Sequence, residues 1–129
     1  MTVSPRDLLR EARYAAHRKD EETARRTAIS RAYYAAFHAA RKYHTRLPKP
    51  GRSKANVGDH ENLIHQLRNP DPSLPDELRK KSTVVGTLLL KLRPSRMLAD
   101  YELEDEVLGR VVDDSIDLAA QILNLTDPK

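Results

Sequence analysis

SRAYYAAFHAA, residues 30–40, is the stretch whose reading decides the fold. Alanines recur at three- and four-residue spacing, three aromatic rings sit among them, and no glycine, proline or β-branched residue interrupts. Such a string favours helix. Working outward, the helical pattern runs over about residues 21–46. A charged break, Lys19 to Glu22, precedes it, with Asp20 as the candidate cap. Leu47-Pro48-Lys49-Pro50-Gly51 closes it. Its predicted inner face is Ile29, Tyr33, Ala36, Ala40 and Tyr43, with Phe37 beside it. The alanines let a second helix approach closely, and the rings fill the edges. Tyr33, Tyr34, Phe37 and Tyr43 are four of only six aromatic residues in the chain, so this helix is expected at the centre of the core.

On its N-terminal side, Ser4-Pro5 is a start signal, Ser as N-cap and Pro at the first helical position. Leu8, Leu9, Ala12, Ala15 and Ala16 carry that helix to about residue 18. On the C-terminal side, residues 48–59 (PKPGRSKANVGD) read as loop, followed by a short helix over His60–Leu67 that Asn69-Pro70-Asp71-Pro72 stops. Pro75-Asp76-Glu77 opens a third main helix, acids at its positive dipole end. It is expected to bury Leu78, Val85, Leu88, Leu89 and Leu92 and to end at Pro94. After a connector over Ser95–Leu103, Glu104-Asp105-Glu106 is expected to open a last helix burying Leu108, Val111, Val112, Ser115, Ile116, Ala119, Ile122 and Leu123. Strand alternation is missing. The pattern predicts an all-α antiparallel four- to five-helix bundle, one domain over residues 1–129 with its core at about 5–125.

Composition narrows the chemistry. The 129 residues include no cysteine, which excludes disulfides, thiolate metal sites and a cysteine nucleophile. No apolar run approaches a membrane span, and the opening MTVSPRDLLREAR lacks an apolar signal core, so a cytoplasmic protein is expected. The formal net charge of +4 hides a polarity along the chain. Residues 1–54 hold 14 basic and 5 acidic side chains, and residues 96–129 hold 3 and 9. Arg41, Lys42, Arg46, Lys49, Arg52 and Lys54 cluster from the aromatic helix into its following loop, with Arg25, Arg26 and Arg31 upstream. Three readings of this patch stand together: a counterion-releasing surface for RNA, compensation by the acidic last helix (Asp105, Asp113, Asp114, Asp117), and docking of an acidic partner.

The helix string 30–40, the basic loop, the short helix opening on His60 and the connector Arg96-Met97-Leu98-Ala99-Asp100-Tyr101 follow one another in an order that resembles the small prokaryotic HEPN-domain proteins. The resemblance spans about residues 5–125. It implies a helical bundle that forms a symmetric homodimer, a place in toxin–antitoxin or defence systems, and pairing with a minimal nucleotidyltransferase. It also implies, in catalytic members, a metal-independent endoribonuclease whose signature is an Arg followed after four to six residues by His. Arginine would hold the scissile phosphate and histidine would move the proton of the 2′-hydroxyl. At the matching place this chain departs from the signature: Arg96 and Asp100 are present, but Tyr101 stands where the histidine is expected. With an ordinary pKa near ~10, Tyr101 is a poor base at neutral pH. The candidate site is therefore Arg96, Asp100 and Tyr101, set against a structural reading in which Arg96 pairs with Asp100 and Tyr101 docks the connector. By the same resemblance, Tyr101 is the candidate for modification by the nucleotidyltransferase. A non-catalytic module that binds and regulates that partner is the alternative to an RNA-cutting enzyme.

Two further Arg-x6-His strings, Arg10 to His17 and Arg31 to His38, each span nearly two helical turns, a rise of ~10 Å. For the second pair the competing reading is a packing arginine and a partly buried histidine. Metal and cofactor signals are weak: His60 and His65 are five residues apart and point apart on a helix, and Glu61 with His65 supplies only two ligands. No phosphate-loop or dinucleotide motif accompanies Gly51 or Gly58, and no cofactor is expected.

Overall fold

The computed structural model describes residues 3–18 and 20–127, and among these every regular element is helical. There are five: α1 (Pro5–Ala16), α2 (Glu22–Thr45), α3 (Asp59–Arg68), α4 (Asp76–Tyr101) and α5 (Gly109–Thr126). α2 is the hub, touching all four others. Ile29, Ala32, Tyr33, Ala35, Ala36 and Ala40 are fully buried on it, which is the expected alanine-and-aromatic face.

Local signals explain most boundaries. α1 begins as expected: Ser4 Oγ accepts from the Asp7 N–H (3.1 Å), while Asp7 Oδ2 accepts from the Ser4 N–H (2.9 Å). This reciprocal box satisfies two backbone donors at once. Asp20, by contrast, is not the cap of α2. That position belongs to Glu21, which makes no side-chain cap bond; Lys19 lies outside the described residues. The basic loop is anchored rather than loose. The Gly51 N–H donates to His44 Nε2 (3.0 Å), the Arg52 N–H to the Asn69 carbonyl (2.9 Å), and His65 Nδ1–H to the Arg52 carbonyl (2.8 Å). A Cβ on Gly51 would sit 1.9 Å from the Gln66 carbonyl oxygen, so only glycine fits there.

The largest correction concerns α4. Pro94 does not end it; the helix continues for seven more residues to Tyr101 and absorbs most of the expected connector. An internal proline costs ~3 kcal/mol through a lost N–H and a clash with the preceding turn. Here the carbonyl left without its donor is that of Leu90. Leu90 and Pro94 are both exposed, on the open side of the helix. Beyond the proline, side chains of α2 hold the helix. Arg26 donates to the carbonyls of Leu98 (2.9 Å), Ala99 (3.1 Å), Glu102 (3.1 Å), Leu103 (3.4 Å) and Asp105. One guanidinium thus caps the C-terminus of α4 and the turn after it, where carbonyls lack intrahelical partners. Glu22 orients it, accepting from Arg26 Nε (2.8 Å) and from the Val107 N–H (3.2 Å).

Because that turn is held open, α5 begins only at Gly109, and Glu104, Asp105 and Glu106 are exposed loop residues rather than its first turn. Leu108 is exposed and Leu78, Leu88 and Val111 are half-buried, whereas Val85, Leu89, Leu92, Val112, Ser115, Ile116, Ala119, Ile122 and Leu123 are buried as expected. Contacts of Arg26 and Ser30 with residues 98–105, and of Tyr43 with Leu78, set α2 and α4 antiparallel. No helix among the described residues is long and apolar enough to cross a membrane.

Replacing Arg26 tests this cap. Arg26→Met keeps the aliphatic stem and deletes the donors, and is expected to cost about 2–3 kcal/mol, since the charged hydrogen bonds to the carbonyls at the end of α4 are lost, while Glu22 keeps its pair with Arg25 (2.8 Å). Hydrogen exchange should accelerate first at residues 98–107; unchanged protection there would refute the assignment.

Candidate functional site

The chemistry-bearing side chains converge where α2, the start of α3 and the last turns of α4 meet. Tyr33 and Phe37, one turn apart on α2, form an aromatic floor. His60, in the first turn of α3, lies on that floor. Its ring stacks 4.0 Å from Phe37 at 12° and 5.5 Å from Tyr33 at 11°, and its Nδ1 is 2.8 Å from the Tyr33 hydroxyl. The guanidinium of Arg41 sits over Phe37 at 4.6 Å, and that of Arg96 sits 5.5 Å over Tyr33 and 5.2 Å over Tyr101. Side chains from three helices therefore form a ladder: Arg41, Phe37, His60, Tyr33, Arg96, Tyr101. Cation–π contact and stacking hold it together.

A second set of bonds fixes Arg96. Its Nε donates to Asp100 Oδ2 (3.0 Å), and Asp100 Oδ1 accepts from the Ser30 hydroxyl. The Arg96 side chain is only 13% exposed and that of Asp100 26%, so this pair is better shielded than an ordinary surface ion pair. Arg96 and Asp100 are paired, as the structural reading of the connector expects. Tyr101 does not dock; it is 60% exposed at the end of α4, its ring beneath Arg96. Asp100 is committed to Arg96 and Ser30 and is not free to act as a base.

Electrostatics divide the two central groups. Burial pushes the Tyr33 phenol up to about 12, so it remains an O–H. His60 moves below its ordinary 6.5, first because burial disfavours the imidazolium, then because Arg96, Arg93 and Arg41 repel it. The imidazole is thus neutral at pH 7 beside three cations. Tyr33 can donate to Nδ1 or accept from it, so either His60 tautomer keeps a hydrogen bond. In the Nδ1–H tautomer, Nε2 presents a lone pair.

The other sequence candidates fall elsewhere. Arg31 and His38 are both exposed on α2, and His38 stacks only on Tyr34 (6.1 Å, 20°); a partly buried histidine is not found there, and the pair does not join the ladder. His38 instead helps line a groove of about 810 Å³ with Arg41, Lys42 and Arg46 on α2 and Val3, Pro5 and Leu8 at the start of α1. Arg41 belongs to both features and links them. Lys49, Arg52 and Lys54 are exposed on the anchored loop, with Lys54 paired to Glu61 (3.2 Å). Arg26 meets Asp105 through its backbone carbonyl and not through its carboxylate, so its cation is neutralised by Glu22 instead, and Arg6 pairs with Asp127 at the two ends of the bundle. Asp114 and Asp117 stay exposed on α5.

His60 is the group that sequence spacing missed as a site residue. Its distance along the chain from Arg96 hides the pairing, since the fold alone brings α3 beside the end of α4. A partial signal was present in Tyr33 and Phe37: two rings at i and i+4 make a platform wide enough for a third. Comparison of the chain with protein-family models, with curated proteins and with solved structures finds no match. The site therefore rests on its own geometry.

The depressed histidines have a measurable consequence. His44, which accepts the Gly51 N–H, is also lowered by burial. With folded values below 6.5, both stay neutral while the unfolded chain takes up protons, so stability is full above about 6.5 and falls as pH drops below it. Unfolding free energy measured from pH 7.5 to 5 should decline. His60→Gln and His44→Gln should each flatten the slope; an unaltered slope in both would refute the assignment.

Proposed function

We propose that the protein is a HEPN-like, RNA-binding component of a toxin–antitoxin or defence pair, acting as a symmetric dimer and cutting RNA without a metal. The observation that carries this reading is His60: a neutral imidazole on an aromatic platform, facing the guanidiniums of Arg93, Arg96 and Arg41. In this scheme His60 takes the place of the histidine that the Arg96–Tyr101 spacing lacks. Arg96, with Arg41 and Arg93, binds the scissile phosphodiester and stabilises the charge that builds on phosphorus. The 2′-oxygen attacks phosphorus, the bond to the 5′-oxygen breaks, and a 2′,3′-cyclic phosphate forms. His60 Nε2 takes the 2′-hydroxyl proton and returns one to the departing 5′-oxygen, while the Tyr33 oxygen accepts Nδ1–H of the transient imidazolium. The exposed ring of Tyr101 supplies a face on which a base stacks, and Lys42, Arg46, Lys49, Arg52 and Lys54 extend the cationic track.

A second reading is supported by Tyr101 itself. Its exposed hydroxyl beside Arg96 suits an acceptor of a nucleotidyl group from a partner nucleotidyltransferase: the phenolic oxygen attacks the α-phosphorus, pyrophosphate leaves, and the added phosphate pairs with Arg96. On this reading the chain is a non-catalytic module that its partner modifies and regulates.

Cleavage mapping on total RNA distinguishes them. The enzyme reading expects cyclic-phosphate ends that disappear in His60→Ala and Arg96→Ala, fall about 10²-fold or more in rate because proton transfer is lost, and persist in Tyr101→Phe. No cyclic-phosphate ends at any protein concentration would overturn it. Mass spectrometry after co-expression with a nucleotidyltransferase tests the second reading, which an unmodified peptide spanning Tyr101 would refute.

A further inference from the structure

The groove between the start of α1 and the last turns of α2 has a floor and a rim of different chemistry. The floor is aliphatic, made by Val3, Pro5 and Leu8. Pro5 and Leu8 are half-buried, but Val3 is 69% exposed, so apolar surface is left to solvent there. The rim is cationic. His38, Arg41, Lys42 and Arg46 recur at helical spacing on one face of α2 and run ~12 Å along it.

These cations are not offset locally. Among the described residues no carboxylate lines the groove, and α2 carries no acid after Glu22. Asp7, next to Leu8 in sequence, accepts from the Ser4 N–H (2.9 Å) and pairs with Arg10 (3.1 Å). Glu11, one turn past Leu8, is exposed outside the groove. Asp127 shares a small recess with Pro5, Lys42 and Arg46 at the groove's edge, and it pairs with Arg6 (3.6 Å).

An aliphatic floor under an unopposed cationic rim fits a ligand that is both apolar and anionic. RNA meets half of that demand. Its phosphates suit the rim, but its bases need flat ring faces to stack on, and the floor has none. The His38 ring on the rim is already stacked on Tyr34 (6.1 Å). A polypeptide that intersperses leucine with aspartate and glutamate meets both halves, in the manner of an amphipathic segment laid into a groove.

We infer that this groove docks an acidic, leucine-bearing segment of a partner protein. Its leucines lie on Val3, Pro5 and Leu8, and its carboxylates pair with Lys42, Arg46 and Arg41. The inference goes beyond RNA cleavage and takes nothing from it. Lys42 and Arg46 also belong to the cationic track of the RNA reading, so the floor, not the rim, tells the two ligands apart.

Fluorescence anisotropy with the full chain tests it, using three labelled probes. One is a short peptide of leucine, glutamate and aspartate, the second has each leucine replaced by serine, and the third is a single-stranded RNA. The leucine peptide should bind, and the serine peptide should bind about tenfold more weakly or less. Lys42→Glu and Arg46→Glu should each weaken the leucine peptide about tenfold, one decade in Kd. Arg110→Glu makes the same charge change near Val107, which bonds Glu22 at the far end of α2, and should leave binding unaltered. Val3→Ser, at an exposed position, should weaken the peptide about fivefold through lost apolar contact, with circular dichroism and RNA affinity unchanged. No binding of the leucine peptide, equal binding of both peptides, or a loss in Arg110→Glu as large as in Arg46→Glu would overturn the inference. So would an RNA affinity that falls in Val3→Ser, which would make the groove an RNA subsite. RNA binding without peptide binding refutes only the docking groove, and peptide binding without RNA binding upholds the groove and refutes the RNA reading.

Discussion

The Arg26 guanidinium is the constraint on which the rest of the structure depends. It is 12% exposed, fixed at one edge by Glu22, and donates to carbonyls of five residues between Leu98 and Asp105. Those carbonyls belong to a helix end and the turn that follows it, where backbone N–H groups serve only Leu98 and Glu102 among the five (3.3 and 3.1 Å). Without such a donor, the seven residues beyond Pro94 would have little reason to stay helical, given the cost of the proline. With it, Arg96 and Asp100 are one turn apart on a helix rather than loose in a connector. Ser30 on α2, one turn beyond Arg26, then closes the same junction from the other side. The site is built on a segment whose shape is imposed by α2.

Much of the fold is legible in the sequence because it follows from local rules. The alanine and aromatic pattern of α2, the Ser4-Pro5 start, the prolines around residues 48–50 and 70–75, and the 3.6-residue period of α5 each act within a turn or two. Errors arise where a distant side chain overrides the local rule. Pro94 reads as a stop, and it fails to stop because Arg26, about seventy residues upstream, serves the end of the helix. Glu104 to Glu106 read as an acidic first turn, but the same arginine holds the turn before them in another course, and α5 starts at Gly109. The site divides in the same way. Arg96 and Asp100, four residues apart, are found by spacing; His60 is brought in by tertiary packing and cannot be.

Charge in this molecule is organised around a neutral centre. Burial first, and then repulsion by Arg96, Arg93 and Arg41, lowers the His60 imidazole below its ordinary value. Tyr33 is its hydrogen-bond partner, and a phenol pushed up to about 12 adds no negative charge to offset them. A carboxylate in place of Tyr33 would raise the imidazole and weaken its neutral form. The aromatic character of α2 thus has two roles that a single composition satisfies: Tyr33 and Phe37 fill the core on one side and set the protonation state of His60 on the other.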